Sequence, residues 1–325
     1  MSGGDPVNQA PAAGNGKETV TQTAADLRPE RTSDPSALRP RRVTGHGECF
    51  VYGGVAFELL GVKAESLDAL GDQARACVVR DEASTQRAFA RVTCVVREDL
   101  PLDPAVAGGR EIGWERTDTS LVIKTPLAHT TLSETAPGHW AAVARVATQS
   151  GLGAAMTAIA TTLAEQAGGL ILHSSGIELD GRAVLFIGPS GAGKTTACNH
   201  VPSARGFTWD RTAIVPDGDG YRAWALPGGD EIVLKWSDHV TLPLAAVLRV
   251  RRGSPEPRIE RAGKLDAMVV LRESTQSGVS NEREQVACLD RIARAAAAVP
   301  IGFAHTKLDA GLDPMLRAWL AEGSR

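Results

Sequence analysis

No apolar run in this sequence approaches the roughly 20 residues that a bilayer-crossing helix needs, so no membrane association is expected. The opening stretch, "MSGGDPVNQAPAAGNGKETV", lacks both the basic and the apolar segment of a secretory signal. Cysteine is sparse: Cys49, Cys77, Cys94, Cys198 and Cys288 are scattered, odd in number, and form no C-x-x-C pair. That pattern argues against a disulfide framework and a zinc site, and it fits reduced thiols in a cytoplasm. The formal charge of -3 gives no reason to expect a polyanionic partner. Aromatic residues do not interleave with Arg249, Arg251, Arg252, Arg258 and Arg261, so nucleic-acid binding is not expected. Those arginines read as a solvated hairpin.

What remains is a soluble, core-forming composition, 43% hydrophobic and 22% charged, in a chain long enough for two domains. Residues 1–42 carry almost no large apolar groups and cannot offset the entropy of ordering, which predicts a disordered tail. From 43 to 135, short apolar or alternating runs such as "CFVYGGVAFELLGV" and "RVTCVVRE" are punctuated by Gly, Pro and Asp. They predict a small β-rich domain. Its isolated histidines, His129 and, just beyond, His139, read as surface or packing residues. Over 139–169, Ala and Leu recur at helical spacing, with glycines at 151, 153 and 168. The expectation is two consecutive helices forming a helical connection over 136–167, stopped at Gly168.

The region 168–325 reads as one nucleotide-binding domain. "GLILHSSGIEL" and "RAVLFIG" are apolar segments joined by Asp180-Gly181, a strong hairpin signal. "TAIVP" and "YRAWALP" flank a second turn, "DGDG", where Asp217 and Asp219 are explained by turn formation. The strand before the glycine-rich loop therefore has an antiparallel neighbour, unlike the parallel βαβ units of ordinary P-loop GTPases. The predicted class is α/β with an α+β tendency: a mixed, largely antiparallel sheet. Further on, 281–298 predicts a helix capped by Asn281, with Val286, Leu289, Ile292 and Ala296 on its apolar face. A last helix, opening at Asp313-Pro314, is expected to bury Leu316, Trp319 and Leu320.

"GPSGAGKTT" supplies the chemistry. Gly188, Gly191 and Gly193 let consecutive backbone N–H groups turn inward where a side chain would obstruct phosphates. Lys194 brings a compact charge to the β- and γ-phosphates, and Thr195 a hydroxyl for Mg²⁺. Gly188, Pro189, Ser190, Gly191, Ala192, Gly193, Lys194, Thr195 and Thr196 are thus the expected nucleotide-binding residues. Phosphoryl transfer also asks for a carboxylate to hold the metal or orient the attacking hydroxyl. Asp210, which follows the loop by a short helix and precedes an apolar strand, is the first candidate, and Asp230 with Glu231 are candidates for the acceptor side.

These residues resemble the C-terminal catalytic domain of bacterial HPr kinase/phosphorylase and its HPr-kinase-like relatives, a family sharing a fold core with phosphoenolpyruvate carboxykinases. The resemblance covers about 168–322. It rests on His173 fifteen residues before Gly188, on "GPSGAGKTT" against G-x-S-G-x-G-K-[ST], on "RGFTWDR" where the family has a DDR element, and on "LPLAAVLRVRRG" and "AVPIGFAHTKLD" near the end. It implies ATP and Mg²⁺ as cofactors, with His173, Lys194 and Asp210 catalytic and Thr195 and Asp210 on the metal. The family has two consecutive aspartates where this chain has Trp209-Asp210. It also carries a long glycine-rich signature that this chain lacks. HPr itself is therefore not expected as the acceptor.

Three functions follow as expectations. The first is an ATP-dependent serine-type kinase acting on a small protein or peptide. The second is an ATP-binding regulatory or accessory module with little or no transfer. The third is a small-molecule kinase or carboxykinase-like enzyme. The true HPr kinases are hexamers, which raises a homo-oligomer as an option.

Overall fold

The structure, a computed structural model, describes residues 49–62, 78–79, 82–97, 113–117, 120–125, 127–147, 149–226, 234–253, 258–276, 282–306 and 311–322. The expected tail over 1–42, the cap Asn281, and Asp230 and Glu231 lie outside the described residues.

The first part of the chain runs through β1 (Cys49–Tyr52), β2 (Val55–Leu60), β3 (Val78–Val79), α1 (Glu82–Arg87), β4 (Ala90–Arg97), β5 (Gly113–Arg116), β6 (Leu121–Thr125), β7 (Ala128–Ala136), β8 (His139–Val146) and α2 (Gln149–Gln166). Its strands form a sheet in the order β3-β1-β2-β4-β8-β7-β6-β5. The helical reading of 139–146 is overturned here, since His139–Val146 is a strand paired parallel to β4 and antiparallel to β7. Alanine-rich text favours a helix locally, but Trp140, Ala142, Ala144 and Val146 alternate inward with period two. Strands on both sides pair with that segment along its length, and this tertiary pairing outweighs propensity.

A single helix, α2, follows in place of the second predicted one, and Gly151 sits inside it without breaking it. A Cβ at Gly151 would come within 2.6 Å of the Leu127 carbonyl oxygen, so this glycine is there for close approach and not as a break. The helix does end at the predicted glycine. Gly168 adopts φ +83°, its N–H bonds to Glu165 O, and the Gly169 N–H bonds to Ala164 O, a Schellman ending.

The second part comprises β9 (Leu170–Leu179), β10 (Arg182–Ile187), α3 (Lys194–Asn199), β11 (Arg205–Thr208), β12 (Arg211–Asp217), β13 (Gly220–Ala225), β14 (Thr241–Arg252), β15 (Arg258–Arg261), α4 (Lys264–Ser274), α5 (Glu282–Ala298), β16 (Ile301–Thr306) and α6 (Leu312–Glu322). The sheet order is β10-β9-β12-β13-β14-β16-β15, with β11 also on β9 and β10 also on β14. Among the described strands of this sheet only β10–β14 and β14–β16 pair in parallel, so the mixed, largely antiparallel α/β arrangement is the one present.

Both predicted hairpins form. Asp180 and Gly181 take positive φ, 52° and 73°, as the tight turn between β9 and β10 requires. The long strands β9 and β14 change partners along their length. The first half of β9 pairs with β12 and the second half with β10, while β14 passes from β13 to β10 and β16.

Alternation along β10 sets the layers. Ala183, Leu185 and Ile187 face a core shared with α4 and α5, and Val184 and Phe186 face one shared with α3 and α6. Phe186 is fully buried, a burial that contributes about 1.5–3 kcal/mol. The core under the first sheet and α2 also takes in Ile171, Ala213 and Trp224 from the second.

One expected helix face is corrected and the other holds, with Leu320 partly buried. On α5 the buried residues are Cys288, Arg291, Ile292 and Ala295, while Val286 and Leu289 point to solvent. On α6, Leu316 and Trp319 are buried as expected, but Asp313 accepts bonds from the Ser203 N–H and hydroxyl and from Arg317 instead of serving only as a cap. Among the described residues no helix is long and apolar enough to cross a membrane.

Candidate phosphate-binding site

The β9–β10 turn fixes the site by counting. In the observed register Ile187 pairs with Ser174, so Gly188, the first loop residue, falls opposite His173. From there the chain leaves the sheet through Gly188, Gly191 and Gly193, with φ values of 145°, 76° and 96°. All three are positive, a region that side-chain-bearing residues rarely adopt. Gly193 stands at the start of α3 with no side chain capping the helix. Pro189, Ser190 and Gly191 form the exposed tip, closed by the Ala192 N–H on Pro189 O at 3.1 Å.

Lys194 folds back into the loop and is almost fully buried. Its ammonium donates to Gly188 O (3.1 Å) and Pro189 O (3.3 Å) and lies 2.9 Å from His173 Nε2. Burial lowers its pKa, and the attraction of Asp210 opposes that shift. With Lys194 protonated, Nε2 must accept, which leaves the neutral imidazole proton on Nδ1. Nδ1 faces Asp210 Oδ1 at 3.2 Å. That is ion-pair distance, yet the direction is not that of a hydrogen bond, and Nδ1 is buried without a hydrogen-bond partner. Lysine, imidazole and carboxylate thus form a chain of successive contacts, the last of them at ion-pair distance without a hydrogen bond.

Asp210 is held there at a conformational cost. It is one of two described non-glycine residues with positive φ, at 72°. A tight turn between β11 and β12 imposes this. Thr208 Oγ1 donates to Arg211 O (2.7 Å), the Arg211 N–H bonds to Trp209 O, and the Ser174 N–H bonds to Asp210 O. Arg211 then pairs with His173 across the strands, and its Nε lies 3.3 Å from Asp210 Oδ2. Left-handed backbone at such a residue costs about 1–2 kcal/mol, and it turns the carboxylate toward His173.

The same turn carries Trp209 to the loop. Its indole N–H donates to Thr195 Oγ1 at 2.9 Å, and Ser175 Oγ lies 3.4 Å from the same oxygen. Neither contact was anticipated from the sequence. Ser175 could have been found, since the hairpin register puts it opposite Phe186, one step inside the loop. The indole contact had no such signal.

Of the predicted site residues, the structure thus brings together His173, Lys194, Thr195 and Asp210 with the glycine loop. Thr196 lies beside them on α3, half-buried. The histidines His129 and His139 stand on β7 and β8 of the other sheet, away from the loop. Asp217 pairs with Arg222 within its own hairpin. Four of the five arginines contact neighbours of the same chain: Arg249 with Glu273, Arg258 with Glu260, Arg251 over the Phe303 ring and Arg261 over Trp319. Arg251, Arg252, Arg258 and Arg261 stay exposed, as expected of a solvated hairpin. Among the described residues no group of three His, Cys, Asp or Glu side chains could hold a metal ion unaided.

Residues 150–299 match a family model described as SynChlorMet cassette protein ScmC. No curated protein matches the chain. Among solved structures, the HPr(Ser) kinase/phosphatase from Coxiella burnetii is similar at 7% sequence identity, covering 48% of this chain and 99% of that one, with a TM-score of 0.28.

Proposed function

We propose that this protein binds ATP through the loop 188–196 and transfers its γ-phosphoryl group to a hydroxyl on a small protein or peptide. The observation that supports this reading is the alignment of Lys194, His173 and Asp210 at the mouth of the loop. Bound phosphates would draw the Lys194 ammonium away from Gly188 O, Pro189 O and His173. That frees Nε2 of His173, with Asp210 behind Nδ1, to accept a proton at the phosphate side of the site. The acceptor oxygen would then bond to phosphorus as the bond to the ADP oxygen breaks, its proton passing to Nε2. Lys194 and the loop N–H groups stabilise charge on the transferred group.

Mg²⁺ would neutralise charge on the β- and γ-oxygens. The residues fit it, because such ions are held largely by substrate phosphates and water, with one or two protein ligands. Thr195 Oγ1 has two lone pairs, and the Trp209 N–H uses one. With the Thr195 hydroxyl donating to Ser175 Oγ, the other would be available to a metal, and Asp210 would be the carboxylate ligand.

A second reading, a nucleotide-binding module with little transfer, is favoured by Trp209. An indole stands on the metal-facing hydroxyl where the HPr-kinase-like pattern has an acid. Two measurements separate the readings. Loss of Mg-ATP binding in Lys194→Ala tests the loop. Incubation with γ-labelled ATP and the proteins encoded beside this chain, which the matching family's description as a cassette protein makes the first acceptors to try, tests transfer. If no neighbour is labelled, and Trp209→Asp does not bring labelling on, the transfer reading fails and the binding module stands.

A further inference from the structure

Three hydroxyl side chains lie fully buried beneath the turn that carries Trp209 and Asp210: Ser174 on β9, Thr208 at the end of β11 and Thr212 on β12. Alanine or valine would fill such positions without the cost of burying a polar group, so the hydroxyls ask for a reason. Thr208 is the one that reaches the turn. Its hydroxyl donates its single proton to Arg211 O at 2.7 Å, spanning Trp209 and Asp210 with one side-chain bond. The Thr208 oxygen then accepts from Thr212 Oγ1 at 3.4 Å, and Thr212 shares a 2.6 Å bond with Ser174 Oγ. Ser174 also holds the turn from β9, its backbone N–H on Asp210 O at 3.1 Å.

The methyl group of Thr208 sets where that hydroxyl points. Thr208 pairs with Gly176 across the strands, and a Cβ at Gly176 would come within 2.7 Å of Thr208 Cγ2. A glycine inside a strand marks such a close approach. With the methyl seated there, a side chain that is stiff at χ1 has its hydroxyl held toward Arg211 O. The register also slips between Gly206 and Thr208, a bulge of the kind that re-aims neighbouring side chains. We propose that Thr208 is a positioning residue for both sides of the phosphate site. Its hydroxyl sets the turn from which the Trp209 indole reaches Thr195 and the Asp210 carboxylate faces His173. One bond governs both contacts because the two residues are consecutive, and neither can move without turning the rigid peptide they share. The effect on catalysis rests on the phosphoryl-transfer reading; the geometric assignment does not.

Thr208→Ser and Thr208→Ala both remove the methyl group and differ only in the hydroxyl. The full chain of each is compared with the parent by NMR without nucleotide. The first readout is the Trp209 indole N–H signal, identified by its loss in Trp209→Phe, with its rate of exchange with solvent. The second is the pair of Asp210 Cα and Cβ shifts, which report left-handed backbone. Thr208→Ser should keep the parent signals. Thr208→Ala should move the indole signal, speed its exchange about tenfold or more, and take Asp210 out of the left-handed range. Labelled phosphate transfer should fall about 10–10²-fold in Thr208→Ala and stay near the parent in Thr208→Ser. Parent-like signals in Thr208→Ala would overturn the proposal. So would equal displacement in both variants, because methyl packing and not the hydroxyl would then set the turn. Displaced signals with unchanged transfer would overturn the positioning role too. If the parent itself transfers no phosphate, the transfer reading fails, and the spectra still decide whether Thr208 sets the turn.

Discussion

Asp210→Asn separates what this carboxylate does for function from what it does for stability. The substitution keeps the side chain's size and its tolerance of left-handed backbone, so the turn at φ 72° should persist. What it removes is one charge, facing His173 at 3.2 Å and Arg211 at 3.3 Å, with about a third of each side chain in contact with solvent. Half-exposed pairs of this kind contribute about 0–1 kcal/mol each. The His173 contact is not a hydrogen bond and the one from Arg211 Nε is long at 3.3 Å, which puts both at the low end of that range. The folded state should therefore lose about 1 kcal/mol or less in total. For a chain of this size that is a change in Tm of about 2–4 °C at most. Asp210→Gly should land in the same range, since relief of about 1–2 kcal/mol of backbone strain is offset by glycine's extra unfolded-chain entropy.

Transfer should respond very differently. Without the negative charge behind Nδ1, the His173 imidazolium formed during the reaction has no counter-charge. Labelled phosphate transfer should fall by about 10²–10⁴-fold. The assay pairs thermal melts with γ-labelled transfer on the same preparations. A loss of more than about 3 kcal/mol of stability would show that the Asp210 contacts are structural supports. Transfer within a few-fold of the parent would remove Asp210 from the chemistry altogether. Either result refutes the reasoning.

Further expectations concern the loop, the packing and the thiols. The Lys194 pKa is lowered by burial, and nearby phosphates should raise it again, so ATP binding should take up a proton at pH values between the free and the bound pKa. Affinity should then weaken as pH rises between the free and bound pKa values, by about tenfold per pH unit, and calorimetry in buffers of different ionisation enthalpy reads the uptake. An affinity flat across that range would contradict it. Gly151→Ala should destabilise by about 1–3 kcal/mol despite alanine's better helix propensity, because the new Cβ meets Leu127 O at 2.6 Å and Val146 Cβ at 3.1 Å. Chemical denaturation decides this, and a stabilised variant would show that α2 does not lie as close to Leu127 as described. Cys49 is exposed, while Cys94 and Cys198 are buried with their thiol pKa values pushed up, that of Cys94 to about 12. Alkylation of native protein at neutral pH, mapped by mass spectrometry, should therefore modify Cys49 and spare Cys94 and Cys198.

How much of this was legible in advance depended on how local the cause was. Asp180-Gly181 is a complete instruction, since both residues accept positive φ and the turn admits one register. From that register alone His173 falls opposite Gly188. Gly168 ends α2 for an equally local reason. Alanine-rich 139–146 misled because its helix propensity is local while its partners, β4 and β7, come from 91–97 and 128–136. The face of α5 misled for a similar reason. Val286 and Leu289 keep the period of a buried stripe, but the side turned to the sheet is the one bearing Cys288, Ile292 and Ala295.

The sequence by itself therefore determined the glycine loop, its lysine and threonine, the antiparallel strand before it and the histidine opposite, because each follows from backbone preferences within a few residues. Only the tertiary structure decided that Asp210 would face that histidine from a strained turn, and that Trp209 would sit on the Thr195 hydroxyl. These are meetings between residues 14 and 37 positions apart, on separate elements. Which side chains meet there is set by how strands and helices pack over a shared core, and no local pattern encodes that choice.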